Sequence, residues 1–189
     1  SDLATLYAGM SDSNPDSPFF SFAMAEFERG SKLPKASPLP EQGLILMAAT
    51  TGGQVKDEWW DSLVQKLRTR PIGPQEMMAV TGLLNQRYEG IPLDDRRLTQ
   101  AYGTMLSRRE LPAQLHAQFG DYALVYLGDE ALAERMFVEM VERSPGDPDY
   151  VLRVARGLAA EGHPRQARAM LARALELRIL PADAVGGDG

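Results

Sequence analysis

The chain contains no cysteine and only two histidines, His116 and His163. The absence of cysteine excludes disulfide bonds, thiol nucleophiles and cysteine metal sites, and it leaves the redox compartment open. Two histidines are too few for a histidine-rich metal centre. The best apolar run, residues 43–49, falls far short of the roughly 20 residues that span a bilayer. The chain opens within a helical pattern, without an initiating Met, so we read the lack of a targeting signal as uninformative. The expected compartment is the cytoplasm, or the periplasm if the chain is part of a membrane protein.

Strand signals and an excess of basic charge are also missing. No extended β-branched alternation occurs, and no Asn-Gly or Asp-Gly turn joins two such runs. Acidic residues outnumber basic ones by 26 to 20, whereas surfaces that track phosphates usually carry a basic excess. A nucleic-acid partner is therefore not expected. The 44% hydrophobic content is that of a folded domain.

Helical periodicity fills the chain instead. Apolar residues recur at spacings of three and four between short Gly- and Pro-containing breaks, which predicts an all-α fold. Prolines at Pro18, Pro74 and Pro148 are typical of a first helical turn. The predicted helices span residues 2–11, 16–29, 40–51, 55–70, 74–89, 94–108, 112–127, 130–143, 147–161 and 164–178. Short connections favour antiparallel neighbours, and residues 182–189 are expected to form a flexible tail.

The C-terminal part of the chain carries a period of 34 residues. A glycine that reverses the chain is followed by a small residue at a helix crossing and then by a larger apolar residue one turn later. The pairs at this spacing are Gly128 and Gly162, Ala133 and Ala167, Phe137 and Leu171, and Leu124 and Leu158. Two consecutive helical hairpins are therefore predicted.

This period resembles the tetratricopeptide repeat (TPR) family over residues 114–178, and the ending Ala174-Leu175-Glu176-Leu177 is similar to a common TPR ending. In the first helices, Phe119-Gly120 precedes Val154-Ala155 by 35 residues, so one extra residue must be absorbed in a turn. The resemblance implies a right-handed α-solenoid of about ten helices in antiparallel hairpins. It implies one domain over 1–181, with divergent units in 1–111 and clearer units in 112–178.

The resemblance also implies a groove lined by side chains of the first helices. The positions that fall on it are Gln118, Tyr122, Val125, Tyr126, Leu152 and Arg156. Only Arg156 is cationic, which argues against the carboxylate-clamping mode of some TPR proteins and for an aromatic groove of mixed polarity.

Other candidates for chemistry have simpler interpretations. His116 and Asp121 lie near one face of a helix without further converging ligands, as expected for a partly exposed polar face. Adjacent Trp59 and Trp60 cannot both point into one core. Either both rings serve core packing alone, or one of them lines a groove. No phosphate-binding, dinucleotide, zinc-protease or nucleophile-elbow motif occurs, so we expect no catalytic, cofactor or metal residues.

These features predict a non-enzymatic scaffold that binds a protein or peptide partner. The alternative is a soluble regulatory or assembly domain of a larger bacterial membrane protein. A weaker likeness to the TPR-like soluble regions of bacterial envelope glycan-synthesis proteins suggests this second hypothesis.

Overall fold

The computed structural model describes residues 2–12, 14–33, 36–108 and 111–181. Within these residues the protein is all-helical, with ten α-helices and no strand. The helices are α1 (Asp2–Ser11), α2 (Pro18–Ser31), α3 (Leu39–Thr50), α4 (Asp57–Thr69), α5 (Pro74–Tyr88), α6 (Asp95–Leu106), α7 (Ala113–Tyr122), α8 (Glu130–Glu142), α9 (Pro148–Ala160) and α10 (Pro164–Glu176).

The predicted all-α class is confirmed, and each predicted helix has its counterpart within a few residues. One segment differs in kind. The helix predicted over 112–127 is α-helical only to Tyr122 and ends in a π-helical turn, Ala123–Leu127. The tail predicted over 182–189 lies outside the described residues.

Local side chains fix the helix starts. Pro18, Pro74 and Pro148 each occupy the first helical position, as predicted. Asp94 accepts a hydrogen bond from the Arg97 backbone N–H at 3.0 Å, which satisfies one of the amides that a helix start leaves unpaired. The same type of cap begins α8 and α9.

The chain forms two compact units, residues 1–108 and 109–189, which we describe separately. In the first unit α1 packs on α2, and α2 packs on α3. Helices α3 to α6 pack in two consecutive pairs, α3 with α4 and α5 with α6, and the pairs contact each other through α3 on α5 and α4 on α6. This is a repeat-like arrangement. Whether one solenoid runs over 1–181 stays a prediction.

A buried ion pair joins α3 to α4 in the first unit. The Glu41 carboxylate is fully buried, and its Oε1 lies 2.7 Å from Lys66 Nζ. The Ser62 hydroxyl donates to the same oxygen at 2.7 Å. Lys66 also donates to the Ser37 carbonyl, and Arg70 donates to the Ala36 carbonyl. Lys66 in the last turn of α4 and Arg70 at its C-cap therefore hold the segment that leads into α3.

In the second unit consecutive helices pack in two pairs, α7 with α8 and α9 with α10, here called hairpins, and α8 packs on α10. Ion pairs link α10 to α8: Arg165 Nε lies 2.8 Å from Glu134 Oε2, and Arg173 Nη2 lies 2.6 Å from Glu142 Oε1. Because residue numbers rise together along both helices, α8 and α10 run parallel. Two arginines of α10 therefore serve as cross-links between hairpins.

The glycines of the 34-residue period have the conformation that their position predicts. Gly128 has φ of 62° and Gly162 has φ of 90°, which is backbone that glycine adopts without strain. Ala133 and Phe137, which follow the first glycine, are fully buried. The glycines therefore end their helices as predicted, and the predicted crossing residues of α8 are buried.

Candidate interaction surface in the second unit

The π-helical turn is where the first hairpin differs from the second. The Gly128 N–H donates to the Ala123 carbonyl, five residues earlier, where an α-helix would use four. Each such bond encloses one residue more than an α-helical bond. Rows of side chains beyond the turn are therefore rotated by about 100° from their α-helical positions.

Burial shows that this turn holds the extra residue of the first hairpin. The buried positions of α7 match those of α9 at 35 residues, and the match returns to 34 residues at the glycine. The matched pairs are His116 and Val151, Gly120 and Ala155, Ala123 and Leu158, and then Gly128 and Gly162. Fully buried Ala123, not half-buried Leu124, is thus the counterpart of Leu158. The slip seen in the sequence falls between Ala123 and Gly128, inside the helix.

This register changes which residues of the two first helices are equivalent. Gln118 and Tyr122 lie 34 residues before Leu152 and Arg156. At the 35-residue register of α7, the counterpart of Arg156 is instead Asp121. The first-helix face therefore carries opposite charges at equivalent positions of the two hairpins.

The six predicted binding residues differ in exposure. Val125 is 67% exposed, and Arg156 is also exposed. Gln118, Tyr126 and Leu152 are half-buried. Tyr122 is fully buried, with its ring stacked on those of Phe119 and Tyr126 at centroid distances of 5.9 and 5.5 Å. Burial removes Tyr122 from the accessible surface of this conformation.

Asp121 occupies a position that the prediction of binding residues missed. Asp121 is exposed, but the surrounding protein partly desolvates its carboxyl group. This desolvation raises the pKa of the carboxyl group to about 6. Glu161 adds to this rise, and His163 opposes it. Burial of the Tyr150 phenol is the largest cause of its raised pKa, and the charge of Asp121 is the second. The Asp121 carboxyl group therefore interacts electrostatically with residues at both ends of α9.

His116 does not share this surface, contrary to the expectation of a partly exposed polar face with Asp121. The His116 side chain is fully buried. Its Nδ1 lies 3.4 Å from Glu139 Oε2 without hydrogen-bond geometry, and neither ring nitrogen makes a hydrogen bond. Burial, and secondarily Arg143, lowers its pKa to about 4, so the ring is neutral at pH 7. His116 and Asp121 therefore do not share one exposed polar face.

Metal ligands do not converge in the described ranges. No group of three or more His, Cys, Asp or Glu side chains there is placed to hold a metal ion. Across the same part of the chain, each helix is too short or too polar to traverse a membrane.

Comparison with known proteins adds no relative. A scan against protein-family models and searches of curated proteins and of solved structures returned no match.

Proposed function

We propose that this chain is a non-enzymatic scaffold that binds a segment of a partner protein, or a peptide, through the surface of its second unit. In this proposal the hairpins form a TPR-like solenoid, and the exposed side chains of α7, the π-helical turn and α9 contact the partner. Stacking of like helices in the first unit and the parallel α8 and α10 in the second support the solenoid.

The observation that carries the proposal is the position of Val125. At 67% exposure it is the most exposed large apolar side chain in the described part of the second unit. It projects from a π-helical turn, a feature that recurs at functional sites. Burying one such side chain in a complex would contribute roughly 1.5–3 kcal/mol. The π-helical turn thus presents an exposed apolar side chain on the surface of the second unit.

Polar groups flank this apolar contact. Asp121 lies four residues before Val125, and the Tyr126 ring, stacked on Tyr122, follows it. Tyrosine side chains with restricted motion are common contact residues in interfaces. We therefore assign the partner contact to Asp121, Val125, Tyr126 and Arg156, and we leave Tyr122 out because it is buried.

Selection from a displayed random-peptide library tests this function. The full chain serves as bait, and each selected peptide is measured again with Val125→Asp, Tyr126→Ala and Arg156→Ala variants. The expected loss is tenfold or more for Val125→Asp, because a charge replaces an apolar contact.

The matched control is Met78→Asp in α5. Met78 is 58% exposed, so the change alters surface charge and apolarity equally, but in the first unit. Selected peptides that bind the Val125 variant as tightly as the wild type would place the binding surface elsewhere. Failure to select any peptide would count against the peptide-binding function itself. Circular dichroism of each variant shows that the fold is retained.

A further inference from the structure

The first unit contains a polar cleft of about 310 Å³ between α2 and the start of α4. This volume is at the lower end of the range for small-ligand sites and suits one extended side chain or a small molecule. Trp59 lines the cleft although it is only 7% exposed, and its neighbour Trp60 is 2% exposed. Both tryptophans are therefore buried, so the expectation that they could not both pack in the core is wrong, and Trp59 in addition borders the cleft.

The ammonium group of Lys56 already lies over the Trp59 ring. Lys56 Nζ lies 5.1 Å from the ring centroid, within the range of a cation–π interaction. The same ammonium group lies 3.4 Å from Glu28 Oε1 on α2. An aromatic face combined with a carboxylate is the chemistry that recognises a cationic group. Glu28, Trp59 and the cleft around them therefore form a cation site that Lys56 occupies.

Lys56 is held weakly. Its side chain is 55% exposed and that of Glu28 is 39% exposed. Exposed ion pairs contribute only about 0–1 kcal/mol, and exposed cation–π contacts about 0.5–1 kcal/mol. A cation from outside can therefore displace Lys56 at little cost. Lys56 also makes no side-chain cap for α4, so its departure leaves the helix start unchanged.

Charge in the remaining lining favours such a cation. With Lys56 displaced, two carboxylates, Glu28 and Glu58, face one ammonium group, Lys32. The Ser62 hydroxyl at the cleft wall is held by the buried Glu41 carboxylate, which is already paired with Lys66. The Ser62 side of the cleft is therefore fixed and adds no net charge, so the lining apart from Lys56 is net negative.

We propose that this cleft binds a monocationic ammonium or guanidinium group, supplied as a lysine or arginine side chain or as a small molecule, on the Trp59 ring beside Glu28. Lys56 acts as an internal competitor that lowers the affinity of the site. This site is separate from the surface assigned to the second unit and does not depend on that assignment.

Titration of methylguanidinium chloride into the full, ¹⁵N-labelled chain tests the site at constant ionic strength. The indole N–H resonance of Trp59 reports binding and is identified by its loss in Trp59→Phe. Removing the competitor with Lys56→Met should tighten binding about 3–10-fold. Glu28→Gln should weaken it by a similar factor.

Lys32→Met is the matched control, since it removes one positive charge from the same cleft without vacating the ring. Affinity in Lys56→Met that does not exceed affinity in Lys32→Met would overturn the proposal, because general electrostatics would then explain the change. Acetate that shifts the Trp59 resonance as strongly as methylguanidinium would also overturn it.

A peptide arm distinguishes the sources of the cation. Tighter binding of acetyl-Gly-Arg-Gly-amide than of methylguanidinium supports a peptide side chain as the occupant. Equal or weaker binding supports a small cation. Absence of saturable binding by either probe in Lys56→Met excludes the site, whatever the outcome of the peptide-library selection on the second unit.

Discussion

The hairpin of α7 and α8 and the hairpin of α9 and α10 bury matching positions, but only the first carries an extra residue within a helix. The extra residue is accommodated by the π-helical turn, Ala123–Leu127, so core residues on either side keep their places. The second hairpin has a regular α9 and no comparable projection. A one-residue insertion can thus leave a core intact and change the surface instead.

The two hairpins also differ in how each fills the helix crossing. In the first, Gly120 faces Phe137, and a Cβ built on Gly120 would lie 2.8 Å from the ring. The equivalent residues of the second hairpin are Ala155 and Leu171. A smaller residue on one helix accompanies a larger residue on the other, which conserves the packed volume.

Single-residue deletions should break the comparison most strongly. Deleting Val125 converts the π turn to an α turn without removing a core side chain, so we expect a stability change within about 1 kcal/mol. Deleting Ala159 from regular α9 rotates its core residues by about 100° relative to the glycine turn. It should cost on the order of 5 kcal/mol, since two or more side chains lose burial.

Urea unfolding followed by circular dichroism measures both deletions. Equal destabilisation by the two would mean that the π turn does not hold an inserted residue. Deletion of Val125 should also abolish binding of any peptide selected on the second unit.

Acid should separate the hairpins next, because His116 occupies the position where the second hairpin has Val151. The His116 pKa falls from 6.5 to about 4 on folding, so the unfolded chain takes up a proton first. Its contribution to stability is present above pH 6.5 and is lost as pH falls toward 4, by up to about 3 kcal/mol. His116→Val should lack this loss.

Asp121 opposes this trend over part of the same range. Its pKa rises on folding to about 6, so its contribution favours the folded state at low pH and is lost as pH rises through 6. Because Asp121 is exposed, solvent screening reduces its effect. Measurements of unfolding free energy from pH 7 to 4 in His116→Val and Asp121→Asn separate the two groups. A wild type and a His116→Val variant with the same pH dependence would contradict the assignment.

A further expected effect concerns the helix crossing of the first hairpin. Gly120→Ala should cost about 1–3 kcal/mol, because the new methyl group meets the Phe137 ring. Adding Phe137→Leu reproduces the small–large pair of the second hairpin and should recover part of that loss. A double-mutant cycle by urea unfolding measures the coupling, expected at about 1 kcal/mol. Strict additivity would show that the two residues do not share one packing constraint.

The helices were predictable because their signals are local. Prolines such as Pro74 and Pro148, and the glycines at 128 and 162, specify starts and ends through their own backbone preferences. The π-helical turn has no such signal, since residues 122–127 continue a regular helical pattern in sequence. The 35-residue spacing of Phe119-Gly120 and Val154-Ala155 indicates one extra residue, and the match of buried positions places it between Ala123 and Gly128.

The prediction of binding residues was the one most affected by the π-helical turn. A shift of one residue within α7 exchanges buried Tyr122 for exposed Asp121, and neither side chain by itself indicates which register holds. The cleft on the first unit was equally hidden. Its Lys56–Glu28 contact joins residues 28 positions apart and depends on how the tertiary structure places α2 and α4.

Both tryptophans lie on α4, and the second unit contains neither of them. Fluorescence excited at wavelengths that tryptophan absorbs and tyrosine does not therefore follows the first unit alone. Far-ultraviolet circular dichroism follows the helices of both units. Coincident transitions by the two probes would mark a single cooperative domain over 1–181, and separated transitions would assign a stability to each unit. The placement of two indole rings on one helix gives this protein an intrinsic optical label for half of its structure.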